Sequence, residues 1–121
     1  MSSGKIRLVR SQAEPRPFGS AAEAWIWCMG KLVAQREGAR RQHDDRPCEP
    51  DDIVKVLDHL YRQRKITLEH ARILRIWGER GKEPSPTVPQ ERGDYRLWSE
   101  AMGLLELPLL VNGIIKGSGE R

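Results

Sequence analysis

The sequence predicts an all-α domain, a small bundle of about four helices. Three observations carry that reading. Apolar residues recur at three- and four-residue spacings in four separate stretches. Those stretches open on capping residues or proline, and glycines stand near their ends. No alternation of strands with helices is present from which a parallel sheet could be built. At 121 residues the chain fits one domain, since single domains cluster near roughly 100–150 residues.

Residues 1–19 read as a flexible basic arm. Pro15, Pro17 and Gly19 interrupt any regular pattern, and Lys5, Arg7, Arg10 and Arg16 supply charge. Ile6, Leu8 and Val9 make a short strand only if something pairs with them. Residues 20–121 form the helical domain. Ser20-Ala-Ala-Glu23 is a capping box in which the serine oxygen accepts the Glu23 N–H and the glutamate reaches back. The helix that follows spans about 21–37 and stops near Gly38. Trp25, Ile26, Cys28, Met29, Leu32 and Val33 share its apolar arc, while Trp27 lies outside it beside Ala24. This helix is therefore central in the domain, or Trp27 meets a second chain. The other alternative is that the arm or the C-terminal tail covers Trp27.

After a polar loop, Pro50 suits a first helical turn, and Asp51 and Asp52 suit its positive end. The second helix spans about 50–64. Ile53, Val54, Val56, Leu57, Leu60 and Tyr61 fill one face, and Asp58–Arg62 forms an i,i+4 pair opposite. Lys65 and Ile66 make a short turn. Thr67 caps a third helix over 68–80, with Ala71, Ile73, Leu74 and Trp77 inward and Arg72, Arg75 and Glu79 outward. Pro84, Pro86 and Pro89 mark residues 81–93 as an extended loop. Asp94 caps a fourth helix over about 94–106, whose apolar face holds Leu97, Trp98, Ala101, Met102, Leu104 and Leu105. Asn112-Gly113 between apolar residues signals a hairpin, and an irregular tail packed on the core is the other reading.

The charge is local. The net charge is +4, yet residues 62–82 alone hold seven Lys/Arg against Glu69 and Glu79, a balance of +5. Two helices joined by a tight turn, the second bearing outward arginines, is the layout of a helix-turn-helix, whose second helix enters the DNA major groove. Arg62, Arg64 and Lys65 at the turn are placed for phosphates; Arg72 and Arg75 are placed for base edges or phosphates. Two departures stand against this. The turn lacks glycine, and Glu69 and Glu79 sit where they would neutralise Arg72 and Arg75. The ordinary alternative is a helical hairpin with a solvated, salt-bridged face. The expectation is a small DNA-binding protein of the transcriptional-regulator kind. The alternative is a non-enzymatic interaction or oligomerisation module built on Trp27 and the first helix.

Other classes lack their signatures. No apolar run approaches the roughly 20 residues that span a bilayer, and the N-terminus has no signal-peptide core, so a cytoplasmic protein without a membrane partner is expected. Cys28, His43, Cys48, His59 and His70 show no metal-ligand spacing; Cys28 reads as packing and His70 as a hydrogen-bonded core histidine. No nucleophile elbow, P-loop or dinucleotide glycine pattern occurs. No enzyme activity, metal or cofactor is therefore expected.

The run Arg46-Pro-Cys-Glu-Pro-Asp-Asp-Ile through Trp77-Gly-Glu-Arg-Gly, with Asp94-Tyr-Arg-Leu-Trp-Ser-Glu-Ala, resembles short helical proteins of alphaproteobacteria that carry no assigned activity. The resemblance implies a bacterial, cytosolic setting and assigns no site residue.

Overall fold

The predicted helices form in sequence. They are α1 (Ala21–Arg36), α2 (Pro50–Arg62), α3 (Leu68–Arg80) and α4 (Arg92–Val111), with a short 3-10 turn, Pro89–Glu91, leading into the last. The computed structural model describes residues 15–40 and 44–117. Among these no strand forms, and an isolated parallel bridge joins Phe18 to Ile115.

Capping chemistry sets the starts. Ser20 Oγ accepts the Glu23 N–H at 3.1 Å, and Glu23 Oε1 accepts the Gly19 N–H at 2.8 Å. The Glu49 N–H donates to Asp52 Oδ2 at 2.8 Å, with Pro50 filling the first position of α2. Thr67 Oγ1 accepts the His70 N–H at 3.3 Å, and His70 Nδ1 accepts the Thr67 N–H at 3.1 Å. Left-handed residues close the ends: Gly38 (φ 95°), Gly81 (φ 76°) and Gly113 (φ 74°) follow α1, α3 and α4, and Arg64 (φ 63°) follows α2.

The fourth helix is longer than its predicted span of 94–106. The 3-10 turn starts it at Arg92, and it continues through Pro108 to Val111. Proline removes one helical hydrogen bond, but the fully buried Leu105 and Leu109 carry the apolar face past it. Asn112 Nδ2 then donates to the Pro108 carbonyl at 2.7 Å. Asn112-Gly113 is thus a helix stop rather than a hairpin: the Gly113 N–H reaches Leu110 O at 3.0 Å, and the Ile114 N–H reaches Leu109 O at 2.9 Å. Ile114 and Ile115 are buried as the irregular tail.

The arm ends earlier than residue 19. Phe18 is wholly buried; its N–H donates to Ile114 O at 2.9 Å, and its carbonyl accepts the Lys116 N–H at 2.9 Å. Arg16 joins the α1–α2 loop through Asp45, by backbone at 2.7 Å and by side chain at 3.2 Å. The expectations for Lys5, Ile6, Arg7, Leu8, Val9, Arg10 and His43 lie outside the described residues.

Helix α1 is central, packing on α2, α3 and α4. The indole of Trp25 is buried and donates Nε1–H to Leu74 O on α3 at 2.8 Å. Trp77 and Trp98 are buried in the same core and donate to Asp94 at 3.0 Å and Glu83 at 3.2 Å. Each ring thus buries apolar area without orphaning its N–H. Tyr61, expected on the inner face of α2, is 43% exposed. It lies at the rim of the arc that Ile53, Leu57 and Leu60 define at i, i+4 and i+7.

Candidate nucleic-acid interface

Helices α2 and α3 adjoin at their turn. Their close packing is with α1 and α4 rather than with each other. They diverge from the turn instead of lying side by side. The turn is a complete Schellman motif, which satisfies the last carbonyls of a helix. The Arg64 N–H reaches Tyr61 O at 2.9 Å, and the Lys65 N–H reaches Leu60 O at 2.9 Å. Ile66, 1% exposed, anchors the motif in the core. Arg64 and Lys65 project into solvent on its outer side.

Helix α3 buries His70, Ile73, Leu74, Trp77 and Gly78. Leu68, Arg72, Arg75 and Glu79 are exposed, and their i, i+4, i+7, i+11 spacing puts them on one stripe. The expected neutralisation of Arg72 and Arg75 does not form. Glu79 pairs with Arg36 on α1 at 3.7 Å. Among the described residues, Arg64, Lys65, Arg72 and Arg75 join no ion pair. Arg62 differs, because Asp58 holds it at 3.0 Å.

A polar relay fixes the first turn of α3 against α4. With Nδ1 accepting from Thr67, the His70 ring carries its proton on Nε2 and donates to Glu100 Oε1 at 3.0 Å. Arg96 also reaches Glu100, at 3.4 Å. The His70 hydrogen bond, opposed by desolvation and helped by the Arg96 charge, holds the Glu100 carboxyl below its ordinary value. A carboxyl lowered on folding adds stability that is fully present above the unfolded value and lost as pH falls through the folded one. Urea midpoints therefore fall as pH drops below the ordinary glutamate value of about 4.3. Glu100→Gln flattens that part of the profile; an unchanged profile would contradict the relay.

Trp27 is half-buried within its own chain. Its ring centroid lies 5.1 Å from that of Phe18, and its Nε1–H donates to Asp44 Oδ2 at 3.4 Å. The N-terminal segment therefore covers it, with Arg46 stacked 4.2 Å over Phe18. Asp44 also pairs with Lys31 at 3.1 Å. Burial opposes ionisation there, but the Lys31 and Trp27 hydrogen bonds, with the Lys31 and Arg46 charges, hold its carboxyl below the usual range.

Cys28 is buried, its Sγ 3.4 Å from Pro50 O. Burial, then the nearby Cys48 and Asp51, pushes its thiol up to about 12. Burial, then Asp52 and Glu49, pushes Cys48 up to about 11. Both stay protonated at neutral pH, where only a thiolate is a strong nucleophile or metal ligand. Among the described residues no three His, Cys, Asp or Glu side chains cluster as metal ligands, and no helix is long and apolar enough to cross a membrane.

Two features were missed from sequence. One is the left-handed Arg64 in a turn read as lacking its glycine. The other is Leu68, 69% exposed; its spacing from Arg72 and Arg75 was the available signal. No family model, curated protein or solved structure matches the chain.

Proposed function

We propose that the protein binds duplex DNA, with α3 in the major groove and the α2–α3 turn on the backbone, and acts as a small regulator in a bacterial cytoplasm. The observation that carries this is the set Arg64, Lys65, Arg72 and Arg75: four exposed cations, two on the turn and two on the face of the helix that follows it, without ion-pair partners among the described residues. The divergence of α2 from α3 supports it, because a side-by-side hairpin would leave no single helix to present. Arg72 and Arg75 reach base edges or phosphates, Arg64 and Lys65 hold phosphates, and Arg62, already paired, contributes least. Such binding weakens steeply with salt, since phosphate contacts release counterions.

The test is an anisotropy titration against duplex DNA at two salt concentrations. Arg72→Ala with Arg75→Ala is expected to cost tenfold or more in affinity, each base contact being worth about 1–3 kcal/mol, with helicity unchanged. No binding at low salt overturns the proposal, and unchanged affinity in the double variant moves the site elsewhere.

Arg64→Gly separates fold from function. A non-glycine residue in the left-handed region costs about 1 kcal/mol or more, and glycine offsets part of that by its freer unfolded chain. The variant should therefore gain about 0.5–1 kcal/mol in urea unfolding while losing DNA affinity and reducing the salt slope by about 1. Equal affinity would remove Arg64 from the interface.

A second reading, an interaction or oligomerisation module, no longer rests on the covered Trp27. Leu107 and Val111 on α4, 64% and 74% exposed, now favour it. Light scattering that shows a strict monomer removes its self-association form.

A further inference from the structure

We infer that Leu68 reads the 5-methyl group of a pyrimidine in the major groove; this rests on the DNA-binding reading of the same surface. Leu68 is the first residue of α3 and leaves 69% of its surface in water. It packs into no core, and it stands in the most cationic part of the chain. With Glu69, Ala71, Arg72 and Arg75 it lines an open depression on the outer face. The capping box between Thr67 and His70 and the His70–Glu100 bond fix the backbone on which it stands.

The surroundings select the occupant. The adjoining Arg72 and Arg75, with Arg64 and Lys65 at the turn, favour a polyanion, and Glu69 is the carboxylate within the depression. A helix seated in the major groove brings its N-terminal residues to the base edges. The apolar group displayed there is the C5 methyl of thymine, and 5-methylcytosine presents the same group; leucine has nothing to offer a phosphate. Glu69 fits the same placement, since a carboxylate is repelled by the backbone but accepts a hydrogen bond from cytosine N4. The arginines thus anchor the helix while Leu68 discriminates.

The experiment recovers bound duplexes from a randomised pool at low salt, then measures anisotropy on one of them with thymine, with uracil replacing thymine, and with 5-methylcytosine replacing cytosine. Loss of one contacted methyl should weaken the intact protein about fourfold, the worth of one buried methyl group. Leu68→Ala should bind thymine and uracil duplexes equally, with its circular dichroism unchanged because the side chain is exposed. A gain on 5-methylcytosine without a thymine effect supports the inference and identifies the methylated base as the source. Equal affinity of the intact protein for all three duplexes overturns the inference and leaves DNA binding standing. Failure to bind any duplex at low salt overturns both.

Discussion

Gly78→Ala should destabilise the protein by about 2 kcal/mol, while the same substitution at Gly30 should stabilise it. In isolation, glycine to alanine inside a helix gains about 1 kcal/mol, because alanine leaves less backbone freedom to lose. At Gly30 in α1 an added Cβ meets nothing within 4 Å, so that gain should appear almost whole. At Gly78 in α3 the same atom would lie 2.5 Å from Met29 Cγ and 2.8 Å from Trp25 Nε1. Met29 Cγ can turn away, but Met29 Cβ, at 3.0 Å, is fixed to the α1 backbone. Trp25 does not yield freely, because its N–H is held by Leu74 O at 2.8 Å and its ring is buried. Either the indole moves and its hydrogen bond breaks, or α1 and α3 separate along the line where they pack. Overpacking costs typically about 1–3 kcal/mol on either route, and the route that moves the indole adds about 1–3 kcal/mol for the lost buried hydrogen bond, so the cost exceeds the helical gain. Urea unfolding of the two variants under one condition is the measurement. The Tm of Gly78→Ala should fall by roughly 8 °C, and the two substitutions should shift it in opposite directions. Equal shifts would mean that α1 and α3 do not approach as closely as described.

That contrast shows why part of the fold was legible and part was not. Local signals worked where the cause is local. Ser20, Thr67 and Pro50 mark helix starts because they act on backbone groups within four residues, and the observed helices begin at Ala21, Leu68 and Pro50. The 3.6-residue period placed Trp25, Trp77 and Trp98 inside, where each is buried. Signals failed where a distant partner decides. Pro108 argues for a helix end, but burial of Leu109 overrides it. Asn112-Gly113 serves a hairpin or a helix stop equally well, and only the Leu109 and Leu110 carbonyls choose between them.

The candidate interface divides in the same way. The positions of Arg72 and Arg75 on the outer face of α3 follow from helical periodicity. That neither joins an ion pair among the described residues does not; for Arg75 the decisive fact is that Glu79 meets Arg36 on α1 instead, a contact that periodicity cannot show. Arg64 lay beyond sequence reasoning for another reason. The left-handed position that ends a helix favours glycine so strongly that its absence argued against the turn, and the arginine adopts that conformation nonetheless.

Phe18→Ala should be the more damaging change, and it tests the element that sequence placed least well. Its neighbours in the chain, Pro17 and Gly19, made residues 15–19 read as part of the arm. Yet the side chain is fully buried, with Trp27 at 5.1 Å and the Arg46 guanidinium at 4.2 Å from its ring. Its backbone is bonded to Ile114 and Lys116, so one residue ties the start of the domain to its end. Truncating a buried phenylalanine costs about 3–5 kcal/mol through lost transfer energy and the cavity left behind. A Tm lower by roughly 12 °C or more should follow. A residue merely resting on a finished domain would lose far less, and a cost under about 0.5 kcal/mol, within the range of ordinary surface changes, would return residues 15–19 to the arm. The variant also uncovers Trp27. Its emission should shift to longer wavelength relative to the parent, and that shift should vanish when Trp27→Phe is added, which assigns the signal to this indole among the four tryptophans. Light scattering on the same sample then shows whether a bared Trp27 can drive association. If a bared Trp27 drives self-association, Phe18 is what keeps that surface closed in the parent protein; if the variant stays monomeric, Trp27 is a packing residue, and the interaction reading rests on the exposed Leu107 and Val111 alone.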